Sequence, residues 1–456
     1  YQFNDLFFAG VSYRLDGSSK FGKNHRYVGF PSFSLGWVPS EEAFMKDISW
    51  IDQLKFRGSL GFTGNDGGTG YYGNQGTYKP SPYSATYGTL SPLEVTSPNN
   101  PNLEWETTTM IDIGMDLSLL RSRVNLTIDY YKKDTRNSIV SSPLPSFMGF
   151  SNQQQNLADL TNKGWELTVN SQNIQGKKFG WFTSFNISRN SNTINKLHAI
   201  DPEQNARDIE LNGGRYWMPG ASATSFYMYE WGGVNRETGN PVWVDKAGNK
   251  VDKPIPVAYT NNPNNQRQVL GDALPKFFGG LGNTFTYKGF ELNAFLSFSY
   301  GNMLFNGAKA SMMNYTEGTI SGLNAVNLST DMLAYWKNAG DQTEIPGLVN
   351  TSNNVVAGFG TTTDYTQGRY TSRFLEDASY IKLRSLTLAY TLKKKWASNL
   401  YRVKVFVDGN NLFTITKYTG MDPEVSAFGS SALNTGYDEL TLPPMRTFRL
   451  GLQVGL

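Results

Sequence analysis

The residues best suited to chemistry in this chain are aromatic. Tyr71, Tyr72, Tyr78, Tyr83 and Tyr87 crowd one segment. Tyr216 and Trp217 follow a Gly-Gly-Arg turn, and Tyr227, Tyr229, Trp231 and Trp243 flank another turn. Such rings beside Asn, Gln and Asp suit a sugar: the ring face stacks and the amides meet hydroxyls. The competing reading is that long loops need apolar glue of their own. A second group is charged: Arg57, Asp112, Asp116, Asp129 and Glu166 each alternate with apolar neighbours. Catalysis has little to work with. His25 and His198 are the two histidines, and neither lies in a signature with serine and an acid. There is no cysteine, hence no disulfide or thiolate metal site.

What must position these residues is a set of strands. In Thr447-Phe-Arg-Leu-Gly-Leu-Gln-Val-Gly-Leu456 every even position is large and apolar, and every odd one is polar or glycine. Period two means β-strand. The same alternation recurs at 111–117, 124–131, 165–170, 291–300 and 403–408. These runs reach about ten residues, the length a tilted strand needs to cross a bilayer. Strands are predicted near 6–16, 26–38, 54–64, 106–120, 123–134, 163–174, 179–193, 278–287, 290–303, 380–392, 403–414 and 447–456. Joints alternate between short ones, such as 121–122, 175–178 and 288–289, and long ones at 65–105, 135–162, 194–277, 304–379 and 415–446. Outer-membrane barrels show this asymmetry, with short periplasmic turns and long external loops. The fold class is therefore all-β, a transmembrane antiparallel barrel of about twelve strands, with the C-terminus periplasmic.

Three local readings follow. Residues 227–231 and 241–244 are expected to form an external hairpin, not a crossing. Around Ile381–Leu388 the apolar set switches from odd to even positions, which predicts a β-bulge. Trp37, Trp50, Trp105, Trp165, Trp181 and Trp396 fall near strand ends, where such rings prefer the membrane interface.

Composition is compatible. The 456 residues are 39% hydrophobic and 14% aromatic with 46 glycines. The mean hydropathy is −0.42. A helical membrane protein needs about 18 or more consecutive apolar residues, and no such stretch occurs. A barrel gives lipid only half of each strand. The net charge of +3 does not argue for nucleic acid, and no basic run carries interleaved stacking residues.

The wording of the chain resembles the C-terminal half of a SusC/RagA-type TonB-dependent transporter. Seven segments carry the resemblance in family order. They are Asp16–Gly22 with Phe30–Trp37, Leu54–Asn65, Asn102–Glu106, Leu274–Gly280, Leu375–Arg384, Gly409–Phe413 and Gly420–Glu424. The resemblance implies a plugged barrel of about 22 strands. This chain would supply its second half, with Tyr1 a cut end and the plug and first strands before it. It further implies nutrient import in the bacterial outer membrane: oligosaccharide or peptide cargo, a SusD-like surface lipoprotein as lid, and the TonB complex as energy source. Transporter–lipoprotein pairs in this family often form dimers. No cofactor is implied. Tyr71, Tyr72, Tyr216, Trp217, Tyr229, Trp231 and Trp243 become candidates for cargo contact. Arg57, Asp112, Asp116, Asp129 and Glu166 would face the lumen, more often toward the plug than toward cargo. Loops 194–277 and 304–379 are candidates for the lipoprotein contact. At 245–252 the chain departs from the family: a stretch resembling a calcium loop is interrupted by Lys246 and Lys250, and no metal is expected there. The rival readings are a lid-less receptor for a siderophore- or cobalamin-type ligand, a barrel recruited as a structural or secretion accessory, and an enzyme.

Overall fold

The computed structural model describes residues 1–80, 92–144, 146–150, 152–197, 209–211, 215–251, 266–313, 327–347, 371–392, 402–427 and 435–455. Tyr83, Tyr87, His198, Asp252 and Trp396 lie outside the described residues.

Twelve long strands appear where alternation placed them. They are β1 (Phe7–Gly17), β2 (Tyr27–Trp37), β3 (Ile51–Asn65), β4 (Glu106–Leu119), β5 (Val124–Pro143) and β6 (Asn152–Gln175). The set continues with β7 (Phe179–Leu197), β8 (Phe277–Tyr287), β9 (Phe290–Tyr300), β10 (Tyr380–Thr391), β11 (Arg402–Thr416) and β12 (Thr447–Gly455). They join in simple chain order, and a two-residue strand at Gln2–Phe3 makes the sheet 13-stranded. Neighbours run antiparallel. The sheet is open: among the described residues, β12 and the Gln2–Phe3 strand each have one neighbour. Among the described residues, no helix is long and apolar enough to cross a membrane.

The apolar face is bare. In β12, Phe448, Leu450 and Leu452 are 71%, 78% and 64% exposed. Val405 and Val407 sit opposite Leu452 and Leu450 and are exposed too. In water each such side chain would forgo about 1.5–3 kcal/mol of burial, so a continuous exposed row marks a surface built for another apolar phase. The other face is polar and internally paired. Arg449, opposite Asp408, holds its carboxylate in a fork at 2.9 and 2.8 Å.

The chain divides into two compact units: residues 1–167, 191–209 and 218–220, and residues 168–190, 210–217 and 221–456. In the first, Phe21, Phe30, Leu103 and Trp105 form a buried cluster with Val28, Phe62 and Ile139 packed against it. Trp105 therefore lies in a core under loops, not at a membrane interface as expected. In the second, Phe226, Met228, Phe305, Phe374, Leu375 and Tyr437 form the larger cluster. Leu304, Ala378, Tyr418 and Val425 form a smaller one.

Three expectations need correction or refinement. The joint expected over 135–162 is mostly strand: β5 runs on to Pro143 and β6 starts at Asn152. Those extensions are mostly polar, their apolar residues come as adjacent pairs such as Ile139–Val140 and Leu157–Ala158, and they carry no period-two signal. Their order comes from side-chain bonds such as Asn137 Nδ2 to Glu104 Oε1 at 2.6 Å and Asn156 Nδ2 to the Glu104 carbonyl at 2.8 Å. The hairpin stays outside the long sheet as expected, but it pairs Glu230–Val234 with Pro241–Val244. Ser225–Met228 instead pairs with Gln268–Asp272. Phe226, Tyr227 and Met228 are all buried, so neither face of that stretch is marked as outward. The predicted bulge is present: against β9, Arg384 is the extra residue, because adjacent Phe295 and Leu296 face Ser385 and Leu383.

The tight turn between β8 and β9 requires glycine. Gly289 has φ of +96°, and a Cβ there would lie 3.1 Å from the Thr391 carbonyl oxygen. Gly289→Val is expected to destabilise the sheet by about 1–3 kcal/mol. The check is the temperature at which the complete protein loses heat-resistant migration on gels. An unchanged temperature would show that the turn bears no strain.

Candidate functional site

In the first unit, register brings charges together. Arg57 on β3 lies opposite Gly114 on β4, which lies opposite Asp129 on β5. Gly114 has no side chain, and a Cβ there would come within 2.5 Å of both the Arg57 guanidinium carbon and Asp129 Oδ1. Arg57 thereby reaches Asp129 at 2.5 Å, Asp116 at 3.2 Å and Asp112 at 3.5 Å. Four of the five predicted charged residues thus form one node; Glu166 is exposed and is not among the partners of Arg57. At this node one guanidinium meets three carboxylates, with Lys55 in register opposite Asp116. The side chain of Arg57 is 33% exposed, so water screens much of the attraction.

The family-like segments of this unit converge. Trp105 packs on Phe21 and Phe30 with ring centroids 4.9 and 6.0 Å apart, and its indole donates to the Arg26 carbonyl at 3.2 Å. Glu106 accepts from Asn65 Nδ2 at 2.6 Å and from the Ile139 amide at 2.7 Å. The segments 16–22, 30–37, 54–65 and 102–106 therefore meet at one buckle. His25 belongs to its rim, with Nδ1 3.3 Å from Glu104 Oε2.

The aromatic candidates split by exposure. Tyr71 and Tyr72 are 79% and 66% exposed, and Lys20 sits 5.4 Å over the Tyr71 ring. Tyr216, Trp217, Tyr229 and Trp243 are at most 3% exposed. In this arrangement those four present no open ring face, and they serve the loops as apolar glue. Trp231 is half-buried, with Trp243 edge-on at 6.0 Å.

Interleaved with these rings are arginines that sequence reasoning missed. Arg215 lies 4.6 Å over Phe226 and 4.8 Å over Tyr437, and donates to the Thr435 carbonyl. Arg267 stacks over Tyr216 and Tyr229 and donates to the Tyr216 hydroxyl. Arg373 stacks over Trp231 at 4.9 Å and Phe374 at 5.2 Å. Burial pushes the Arg373 guanidinium down to about 10, with Glu344 opposing the shift. Burial also lowers Arg215. Cation–π contacts of desolvated arginines contribute about 2 kcal/mol or more, so these side chains bind the loops together.

A further site was legible only as two separate motifs. Lys382 on β10 is 1% exposed. Its ammonium donates to Asp422 at 2.6 Å and Glu424 at 2.9 Å. Glu424 also accepts from the Tyr380 hydroxyl at 2.5 Å and from Arg384. Tyr380 and Lys382 share a face by period two, and Arg384, the bulged residue, reaches the same Glu424. Glu376 accepts from the Thr419 amide at 2.8 Å and Lys309 at 3.2 Å. The segments Leu375–Arg384 and Gly420–Glu424 are thus two halves of one buried lock.

Among the described residues, no three His, Cys, Asp or Glu side chains gather as metal ligands. Asp245 closes its own turn instead. Its carboxylate accepts from the Asn249 and Ala247 amides at 2.8 and 2.9 Å, and the Asn249 bonds hold it below the usual carboxylate range.

A family profile described as TonB dependent receptor-like, beta-barrel matches residues 1–261. TonB-dependent receptor P3 of Formosa agariphila is 31% identical over 483 residues, across 100% of this chain and 44% of the relative. TonB-dependent receptor SusC of Bacteroides thetaiotaomicron is 31% identical over 463 residues, across 97% of this chain and 41% of the relative. A solved chain of the RagAB peptide transporter superposes with a TM-score of 0.81 at 25% identity, covering 99% of this chain and 46% of that one. The chain thus spans less than half the length of these relatives.

Lys382→Met strands Asp422 in a buried site. Breaking a buried pair on one side costs about 3–5 kcal/mol, so the denaturation midpoint should fall steeply. The pair Lys382→Met with Asp422→Leu should recover most of the loss. A single variant as stable as the parent would show that the lock carries no net energy.

Proposed function

This chain belongs to the TonB-dependent receptor-like β-barrel family, and on that premise we propose that it is the C-terminal barrel portion of an outer-membrane importer. The observation that carries the reading is the long chain-order sheet, with one bare apolar face and one internally paired polar face. Strand ends joined by short turns would face the periplasm, and the long connections the exterior. The plug and the first strands would be supplied by sequence outside this chain.

The cargo we propose is oligosaccharide or peptide. The similarity to the RagAB peptide transporter supports peptide, and the open ring faces of Tyr71 and Tyr72 suit a sugar. A SusD-like surface lipoprotein would form the lid, and the TonB complex would supply energy through the plug. Loops 194–277 and 304–379 would meet the lipoprotein, since only external backbone reaches it. Tyr71 and Tyr72 are the open rings and the first candidates for cargo contact; Trp231 is the next. Arg57 and its three carboxylates would face the plug.

The test is affinity purification of the tagged complete protein from its own membrane. A stoichiometric lipoprotein should accompany it, and uptake of bound cargo should stop when TonB is inactivated. A barrel that purifies alone and transports without TonB would overturn the reading. Replacing Tyr71 and Tyr72 by Ser should weaken cargo binding by about tenfold, from two stacking contacts of about 0.5–1.5 kcal/mol each. Calorimetry on the purified complex checks this, and unchanged affinity removes these rings from the site.

A further inference from the structure

Within the second unit, four aromatic side chains stand in one row. Register places Phe179 opposite Tyr287, Tyr287 opposite Phe290, and Phe290 opposite Tyr390. Cross-strand partners share a face, so the row crosses β7, β8, β9 and β10. Phe179, Tyr287 and Phe290 are 37%, 49% and 50% exposed. Phe290 and Tyr390 touch with centroids 4.6 Å apart. One step further from the turns lie Trp181, Phe285, Leu292 and Leu388, again in register. Amphipathic rings at strand ends, with aliphatic residues beyond, mark where hydrocarbon gives way to headgroups.

Immediately past the row come two short turns, and both are basic. Gln175-Gly-Lys-Lys178 joins β6 to β7, and Lys288-Gly289 joins β8 to β9. The turns touch, because the Lys288 amide donates to the Lys178 carbonyl at 3.3 Å. Lys177, Lys178 and Lys288 are all exposed. Lys288 lies 5.1 Å over the Tyr287 ring. Among the described residues none of the three enters an ion pair, and the nearby Glu291 is already held by Lys404 at 2.9 Å. In the first unit, by contrast, the β4–β5 turn meets an acid from the start of β3: the Ser122 amide donates to Asp52 at 2.8 Å.

We propose that Lys177, Lys178 and Lys288 form a binding site for the phosphate of an anionic phospholipid headgroup, seated on the aromatic row. The occupant is fixed by two observations together. Three unpaired cations on adjoining turns call for an anion, and the exposed aromatic row directly beneath calls for acyl chains. A lipid with a charged phosphate supplies both at that spacing. The proposal rests on the membrane reading above, which puts these turns on the periplasmic side, where phospholipid is the natural occupant.

The experiment uses the complete protein in nanodiscs of phosphatidylcholine with a minority of phosphatidylglycerol. Native mass spectrometry counts each lipid retained on gentle release. The parent should retain phosphatidylglycerol preferentially, and K177Q/K178Q/K288Q should lose that preference by about tenfold or more, given the attraction of clustered lysines to anionic lipid. The exposed positions leave folding intact, which heat-resistant migration verifies for the variant. Equal retention by parent and variant overturns the site. Full displacement by inorganic phosphate overturns the lipid assignment, since a free anion would then suffice. A parent that fails to enter nanodiscs overturns the membrane reading itself, a result distinct from loss of lipid selectivity.

Discussion

Hydrocarbon offers no partner to a peptide N–H or C=O, and each group left unpaired there costs several kcal/mol. The long antiparallel sheet answers that constraint. Every strand from β1 to β12 lies against its chain neighbour, so backbone donors and acceptors meet through the ladder. Once the backbone is paired, side chains are free to divide by period two. One face carries Phe448, Leu450 and Leu452 into the open. The other carries charges that must find each other, as Arg449 finds Asp408 and Arg57 finds its three carboxylates. The short turns and the aromatic row in the second unit follow from the same geometry.

Above that sheet, the signature segments act as fasteners. In the first unit, Glu106 and Trp105 tie strand ends to the turn after β1. In the second, Lys382 and Glu424 clamp a returning loop onto β10. Buried ion clusters are costly to desolvate and often add little net stability. Their value here is positional: a loop held by four charged groups and a tyrosine has one seat. The bulge at Arg384 has the same logic, since the bulged residue reaches the same Glu424 as Tyr380 and Lys382 where the apolar set changes parity.

Much of this was written in the alternation of the chain. All twelve strands, the bulge and the separate hairpin could be read because lipid-facing strands must alternate. The signal fails where that demand ends. The ends of β5 and β6 carry their apolar residues as adjacent pairs, Ile139–Val140 and Leu157–Ala158, and are held by Asn137, Asn156 and Glu104, so nothing periodic announced them. Phe226 to Met228 is buried all round and gave no register. The Lys382 lock joins residues about forty positions apart in sequence, a distance over which spacing says nothing. Among the aromatic candidates, sequence could not separate exposed Tyr71 and Tyr72 from buried Tyr216, Trp217, Tyr229 and Trp243, because residue type alone does not reveal which ring the arginines cover.

The central claim is that the bare face of the strands meets lipid. Single cysteines can be placed at 448 to 454 of the complete protein, with any cysteine outside this cysteine-free chain replaced by serine, and spin-labelled in liposomes. The account predicts high oxygen accessibility at Phe448, Leu450, Leu452 and Val454, and low oxygen accessibility at Arg449, Gly451 and Gln453. Uniform accessibility along the strand, or the opposite phase, would contradict it.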